Sequence, residues 1–185
     1  MPNLYVLRHG QTDYNLQKRM QGSINTNLNN TGILQAKESS YLFRNHSIDI
    51  LISSPLARAI QTTNIIKSEL KLSHNIIINN DFTEFSYGVF NGKSYSEIKK
   101  THPFLFQSSE FNYHYKIPDS ISLFDFEKKI SKAINNLKKQ YPNKNILLVT
   151  HGVTACMIHK FFHNIPASNF FEHLPANCTF NTYTL

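Results

Sequence analysis

Leu4-Tyr5-Val6-Leu7-Arg8-His9-Gly10 is an apolar run that ends in a histidine and a glycine, and Leu147-Leu148-Val149-Thr150-His151-Gly152 repeats the pattern near the other end of the chain. An unbroken apolar run of this length reads as a strand buried on both faces, and the glycine after each histidine marks a turn. In a parallel α/β sheet both strands deliver their histidines to the same carboxyl edge, where such folds bind ligands. Two histidines, with Arg8 beside the first, suit a site for phosphate in which one imidazole can attack phosphorus.

Working outward, further β-type runs fall at 50–53, 76–78 and 179–185, and helical stretches lie between them. One helix opens at Thr31-Gly32-Ile33-Leu34. A second has Pro55 in its first turn and runs to about Leu70. A third spans about 123–141, closed by Pro142, and a fourth runs from His151-Gly152 to about Phe162. This alternation predicts an α/β fold, a three-layer α/β/α sandwich with a mostly parallel sheet and a cap-like insertion around 80–122. Two segments break the alternation. Residues 17–30 are polar and rich in asparagine, a long loop. Residues 79–122 are rich in aromatics, among them Phe82, Phe85, Tyr87, Phe90, Phe104, Phe111 and Tyr113. An insertion of that length reads either as a lid or substrate-binding cap, or as an excursion covering one sheet face.

The 185 residues suit one domain with a full core of its own. A hydrophobic fraction of 41% and a charged fraction of 17% fit a folded globular chain. Cys156 and Cys178 have no metal-type spacing, which fits a reducing, cytoplasmic setting. Nothing resembles a signal peptide, and no apolar run approaches the ~20 residues of a membrane span. A net charge of +7 raises nucleic acid or a membrane surface as partners. The lysines, however, are scattered pairs: Lys99-Lys100, Lys128-Lys129 and Lys138-Lys139. The last two pairs share a helix whose apolar stripe is Phe126, Ile130, Ile134, Leu137 and Tyr141, so they read as its solvated face. Neither nucleic acid nor membrane is the implied partner. Oligomeric state has no signal in the sequence.

Several residues have the chemistry that a phosphate site needs. His9 is the candidate nucleophile, since attack on phosphorus requires a neutral ring nitrogen with a free lone pair, and neighbouring arginines favour the neutral form. Arg8 and Arg58 are candidate phosphate clamps. The chain uses lysine as its usual cation, fifteen against four arginines, so an arginine stands out as chosen for its planar fork. Arg58 lies where Ser53-Ser54-Pro55-Leu56-Ala57-Arg58 turns from strand to helix. His151 can donate to a phosphoryl oxygen. A carboxyl among aromatics would have a raised pKa and protonate a leaving alkoxide. Glu84 and Asp81 both qualify.

Taken together, these segments resemble the histidine phosphatase superfamily, which includes the cofactor-dependent phosphoglycerate mutases. Leu7-Arg8-His9-Gly10-Gln11-Thr12 with Asn15 resembles its first motif, and Ser53-Ser54-Pro55-Leu56-Ala57-Arg58-Ala59-Ile60-Gln61-Thr62-Thr63 its second. Glu84 with Gly88 and Gly92 resembles the third, and Val149-Thr150-His151-Gly152 the fourth. The resemblance implies a phosphohistidine mechanism without a metal or other cofactor, acting on a small-molecule phosphate ester. In it His9 takes the phosphoryl group; Arg8, Arg58 and His151 hold its oxygens, with Asn15 assisting; and Glu84 protonates the leaving group. Gln21 and Gly22 occupy the loop position that contacts substrate in relatives. Where relatives carry an aspartate, a proline and a serine or threonine, this chain has Asn25, Asn27 and Asn29. Where they show Gly-Glu-Ser, it has Pro118-Asp119-Ser120.

Three functions follow as alternatives: a phosphomonoesterase, a mutase, and a silent phospholigand-binding protein. Mutases resemble one another in carrying cap arginines that grip a carboxylate, and residues 59–185 here contain none, offering only Lys93, Lys99, Lys100 and Lys116 in the cap. The silent binder gains no support, because every proposed catalytic residue is present. No G-x-G-x-x-G follows the first strand, and no carboxylates or histidines stand at metal-ligand spacings.

Overall fold

The computed structural model describes residues 1–106 and 110–185; residues 107–109 of the aromatic insertion, and the side chains of Glu110, Phe111 and Phe170, lie outside the described residues. In chain order the elements are β1 (Asn3–Arg8), α1 (Asp13–Leu16), α2 (Asn30–Leu42), β2 (Ile50–Ser53), α3 (Ala57–Glu69), β3 (Ile76–Ile78), α4 (Tyr95–Thr101), α5 (Glu110–His114), α6 (Leu123–Gln140), β4 (Ile146–Thr150), α7 (Gly152–His163) and β5 (Phe180–Thr184). The sheet order is β3-β2-β4-β1-β5, and only β5 runs antiparallel. The chain is thus an α/β sandwich with a mostly parallel sheet, as the strand–helix alternation predicts.

The apolar runs of β1 and β4 are continuous because both faces of these central strands are covered. Tyr5, Leu7, Leu147 and Val149 share one core with Phe43, Ala59 and Ile66 beneath α2 and α3. Leu4, Val6, Ile146 and Leu148 share another with Phe126, Ile130, Ile134 and Met157 beneath α6 and α7. Full burial of each such side chain contributes about 1.5–3 kcal/mol. The stripe foreseen on α6 faces the core, while Lys128 and Lys139 are exposed.

Register sets the site. Arg8 pairs with Thr150 and Ser53 with Val149. The residues that follow, His9, His151 and Ser54, therefore leave the sheet side by side. Pro55 precedes α3 rather than lying in its first turn: the helix begins at Ala57, with Leu56 as its cap residue. That cap side chain offers no hydrogen bond, and Asn25 from the polar loop supplies one to the Ala57 N–H at 2.7 Å.

The other two loop asparagines are anchors as well. Asn27 Oδ1 accepts from the Gln61 amide at 3.1 Å. Asn29 caps α2 by accepting from the Gly32 N–H at 2.9 Å. The polar loop is thus pinned to two helices by side-chain amides. The reading of residues 17–30 as loop holds, but a helical turn, α1, comes just before it. Thr12 caps that turn, and Asn15 completes a capping box.

The insertion follows β3 as short turns and helices. Phe82, Phe85, Phe90, Ile98, Tyr113 and Ile117 are buried in the α6–α7 core. The insertion's two ends are stitched together at Gly88, whose φ is +52° and whose absent Cβ would strike the Pro118 carbonyl. The Val89 N–H donates to that carbonyl at 3.1 Å, and the Ser120 hydroxyl bonds the Ser86 carbonyl.

Candidate active site

Arg8, His9, Asn15, Gln21, Gly22, Arg58 and Glu84 line one open cleft of about 430 Å³ at the carboxyl edge of the sheet, with His151 buried alongside. Asp81, the other candidate acid, does not line it. Among the residues foreseen, His9, Arg58 and His151 are at most 2% exposed. The sheet edge therefore holds a polar cluster that has given up its hydration, and its hydrogen bonds account for how it is held.

His9 Nδ1 lies 2.7 Å from the Gly10 carbonyl, an acceptor only, so Nδ1 carries the proton and Nε2 keeps its lone pair. Arg58 Nε donates toward that lone pair at 3.2 Å. Burial first, then the Arg58 and Arg8 charges, hold the His9 imidazole well below the usual histidine range. The ring is therefore neutral at physiological pH. Its backbone is fixed from both sides: the His9 N–H donates to the Thr150 carbonyl at 2.9 Å, and Asn177 Nδ2 donates to the His9 carbonyl at 2.9 Å.

His151 faces His9 edge-on, with ring centroids 5.2 Å apart. Its Nε2 is 2.6 Å from Ser54 Oγ. With the hydroxyl donating, Nδ1 is the protonated nitrogen. Among the described residues that buried Nδ1 has no hydrogen-bond partner, and neither has the buried Nε of Arg8. Two buried donors without acceptors beside one imidazole are a costly arrangement unless an anion is meant to accept from them. Burial first, then the Arg58 and Arg8 charges, keep His151 neutral too. Arg8 is held at its other end, donating through Nη1 to the Pro175 carbonyl at 2.6 Å.

Arg58 is the best-anchored group. It donates to the Ile24 carbonyl at 2.7 Å and the Gly22 carbonyl at 2.8 Å, besides His9. Burial lowers its pKa to about 10, which leaves it charged at neutral pH. Gln21 Oε1 accepts from the Thr26 hydroxyl at 2.6 Å and lies 2.9 Å from the Thr12 hydroxyl. Gly22 adopts φ +48° against Asn91, where a Cβ would clash. These two residues thus fasten the loop as well as line the cleft. Asn15 Oδ1 accepts from Thr12, which leaves its amide NH₂ to the cleft.

Glu84 sits at the N-terminus of α7. Its Oε1 accepts from the Phe85 and Thr154 N–H groups and the Thr154 hydroxyl at 2.9–3.1 Å, while among the described residues Oε2 accepts only from the Val153 N–H at 3.1 Å. Oε2 is therefore the oxygen with room for a proton. The sequence argument expected a carboxyl among apolar rings; the structure places it on backbone donors at a helix terminus.

Ser54, Asn177 and Thr62, whose hydroxyl accepts from the Gly10 N–H at 3.1 Å, were not foreseen as parts of the site. Nor were Tyr87, Lys18, Arg19 and Leu174, which line the cleft. Ser54 and Thr62 stood in the second motif, but nothing local marked the role of Ser54, Thr62 or Asn177.

A mostly parallel α/β sandwich that crowds two neutral histidines and two arginines at one strand edge defines a protein built to hold an anion there. The chain belongs to the histidine phosphatase superfamily (branch 1), whose family model matches residues 4–185. It is 34% identical over 152 residues to the uncharacterized phosphatase PhoE of Bacillus subtilis, covering 82% of this chain and 72% of that protein. A mycobacterial glucosyl-3-phosphoglycerate phosphatase has the same fold, with a TM-score of 0.86 at 23% identity over 98% of this chain and 92% of that one. The phosphoserine phosphatase of Entamoeba histolytica, solved with 3-phosphoglyceric acid, matches with a TM-score of 0.84 at 25% identity over 100% of this chain and 91% of that one.

Proposed function

We propose that the chain is a metal-independent phosphomonoesterase that works through a phosphohistidine on His9. The observation that carries this reading is the pair of buried, unpartnered donors, Arg8 Nε and His151 Nδ1, flanking an imidazole whose tautomer leaves Nε2 as the nucleophile. The phosphoryl oxygens satisfy those donors, with the Asn15 amide and Arg58 alongside. His9 Nε2 attacks phosphorus, the bond to the alcohol oxygen breaks, and a proton on Glu84 Oε2 passes to the leaving alkoxide. Glu84 then takes a proton from water as that water attacks the phosphohistidine, which frees phosphate and restores neutral His9. The fixed donors stabilise the charge that builds on the equatorial oxygens in both steps.

Relatives named as phosphatases support the hydrolase reading over a mutase, as does the absence of arginine from residues 59–185. Among the described residues no group of three or more His, Cys, Asp or Glu side chains is arranged to hold a metal, and no helix is long and apolar enough to cross a membrane. The test is hydrolysis of an activated aryl phosphate in excess chelator, with acid-quenched intermediate analysed for phosphohistidine. Wild type turns over and traps phosphate on histidine, whereas His9→Ala falls by a factor on the order of 10⁴ or more. Turnover in His9→Ala, or loss of wild-type activity to the chelator, would overturn the reading.

A further inference from the structure

Beside the phosphate cleft lies a second cavity of about 510 Å³. The two share Met20, Tyr87, Tyr95 and Leu174, so they adjoin along these four side chains. Its walls come from the insertion and from the stretch after α7, including a 3₁₀ turn at Phe170–His173. Among the described residues only Asn112, Ser168 and Glu172 interrupt an otherwise aromatic and aliphatic lining, and no lysine or arginine contributes to it.

A catalytic cleft needs only a few polar atoms to hold a phosphoryl group. The volume next to it decides which alcohol can stay bound. This one is in the size range that encloses a drug-sized ligand, about 300–1,000 Å³. A carboxylate or a second phosphate placed there would meet Glu172 and no cation in the described lining, and would exchange its hydration for neutral donors alone. An alkyl chain or fused ring would gain from every methylene or ring carbon taken out of water. The aromatic insertion therefore serves as more than cover for the sheet.

We infer that the side cavity is the alcohol subsite, and that the substrates are phosphate monoesters of bulky apolar alcohols rather than phosphorylated hydroxy acids. This rests on the phosphomonoesterase reading and narrows it. Met20, Tyr87, Tyr95 and Leu174 form the shared rim where the ester oxygen passes between the two cavities. Phe171, half exposed, and Ala167 contribute to the side cavity's wall.

The test is a series of matched alkyl esters, ethyl, butyl and hexyl phosphate, whose leaving groups are equally poor, so that only burial differs. The value of kcat/KM rises about fourfold per added methylene while the chain stays inside the cavity, about 250-fold from ethyl to hexyl. O-phosphoserine and 3-phosphoglycerate are poorer substrates than hexyl phosphate. In Phe171→Ala, which removes a wall, and in Ala167→Trp, which fills the space, the rise flattens mainly through KM, and ethyl phosphate is hydrolysed within about twofold of wild type. A flat series in the wild type, or a preference for either hydroxy acid ester, would overturn the subsite while leaving the phosphatase intact. Failure to hydrolyse any ester would instead strike the phosphomonoesterase reading.

Discussion

The two cavities are built by opposite means. The phosphate cleft is polar, and its groups are oriented by named hydrogen bonds: His9 by Gly10, His151 by Ser54, Glu84 by the start of α7, Arg58 by the loop carbonyls. The side cavity is formed by packed rings and short turns that impose volume but little direction. Directional bonds suit a step whose geometry is the same for every phosphate ester, because misplacing a donor by an ångström is costly. Non-directional packing suits the alcohol, which differs from one ester to the next. Changes in the first region should alter the rate for all substrates, and changes in the second should alter the choice among them.

The sharpest way to break this division is Glu84→Gln. Alkyl esters, which need their leaving oxygen protonated, should slow by a factor on the order of 10²–10⁴, while a nitrophenyl ester slows far less. Steady-state kinetics on the two ester types checks it, and equal losses would mean that Glu84 only caps α7. Next in size is Arg58→Lys. A lysine cannot reproduce a fork that reaches His9, Gly22 and Ile24 together, so kcat/KM should fall on the order of 10²–10³ by the same factor for ethyl and hexyl phosphate. A loss confined to one of them would blur the line between the regions.

A smaller effect concerns stability. His9 and His151 stay neutral when folded but take up protons near pH 6.5 when unfolded. Below that pH the unfolded chain binds more protons, so these two residues' contribution to stability is present above pH 6.5 and is lost as the pH falls. Stability in urea unfolding should therefore fall between about pH 7 and 5.5, and His9→Asn should recover about half of that loss. The least effect is expected where the regions join. Gly88→Ala forces a side chain against the Pro118 carbonyl at positive φ and should cost about 1–2 kcal/mol in the same assay. Its kcat for ethyl phosphate should change little.

The sequence was most readable where function is local. His9, His151, Arg8 and Arg58 sit within two residues of a strand end or helix start, and apolar runs give those boundaries away. Ser54, Thr62 and Asn177 were not legible because each acts through one hydrogen bond to a partner distant in the chain, and small polar residues are common in loops. The shape of the insertion was hidden for a different reason. Its helices, α4 and α5, have seven and five residues, too few to show a period. Aromatic residues in such a stretch fit a buried core and a cavity wall equally well, and Tyr87 and Phe85 do both. The wall after α7, from Ala167 to Leu174, carried no signal at all.

The bond from Arg58 Nε to the His9 lone pair has a further consequence. On the proposed mechanism the resting nucleophile is masked, and by the same guanidinium that pins the loop at Gly22 and Ile24. In-line attack requires that Nε let go of the imidazole. An arriving oxyanion offers the guanidinium a better acceptor than a neutral ring nitrogen, so the cargo itself releases the trigger. Readiness to react is thereby tied to occupancy rather than to the basicity of His9, and an idle molecule keeps its most reactive atom out of the way of stray electrophiles.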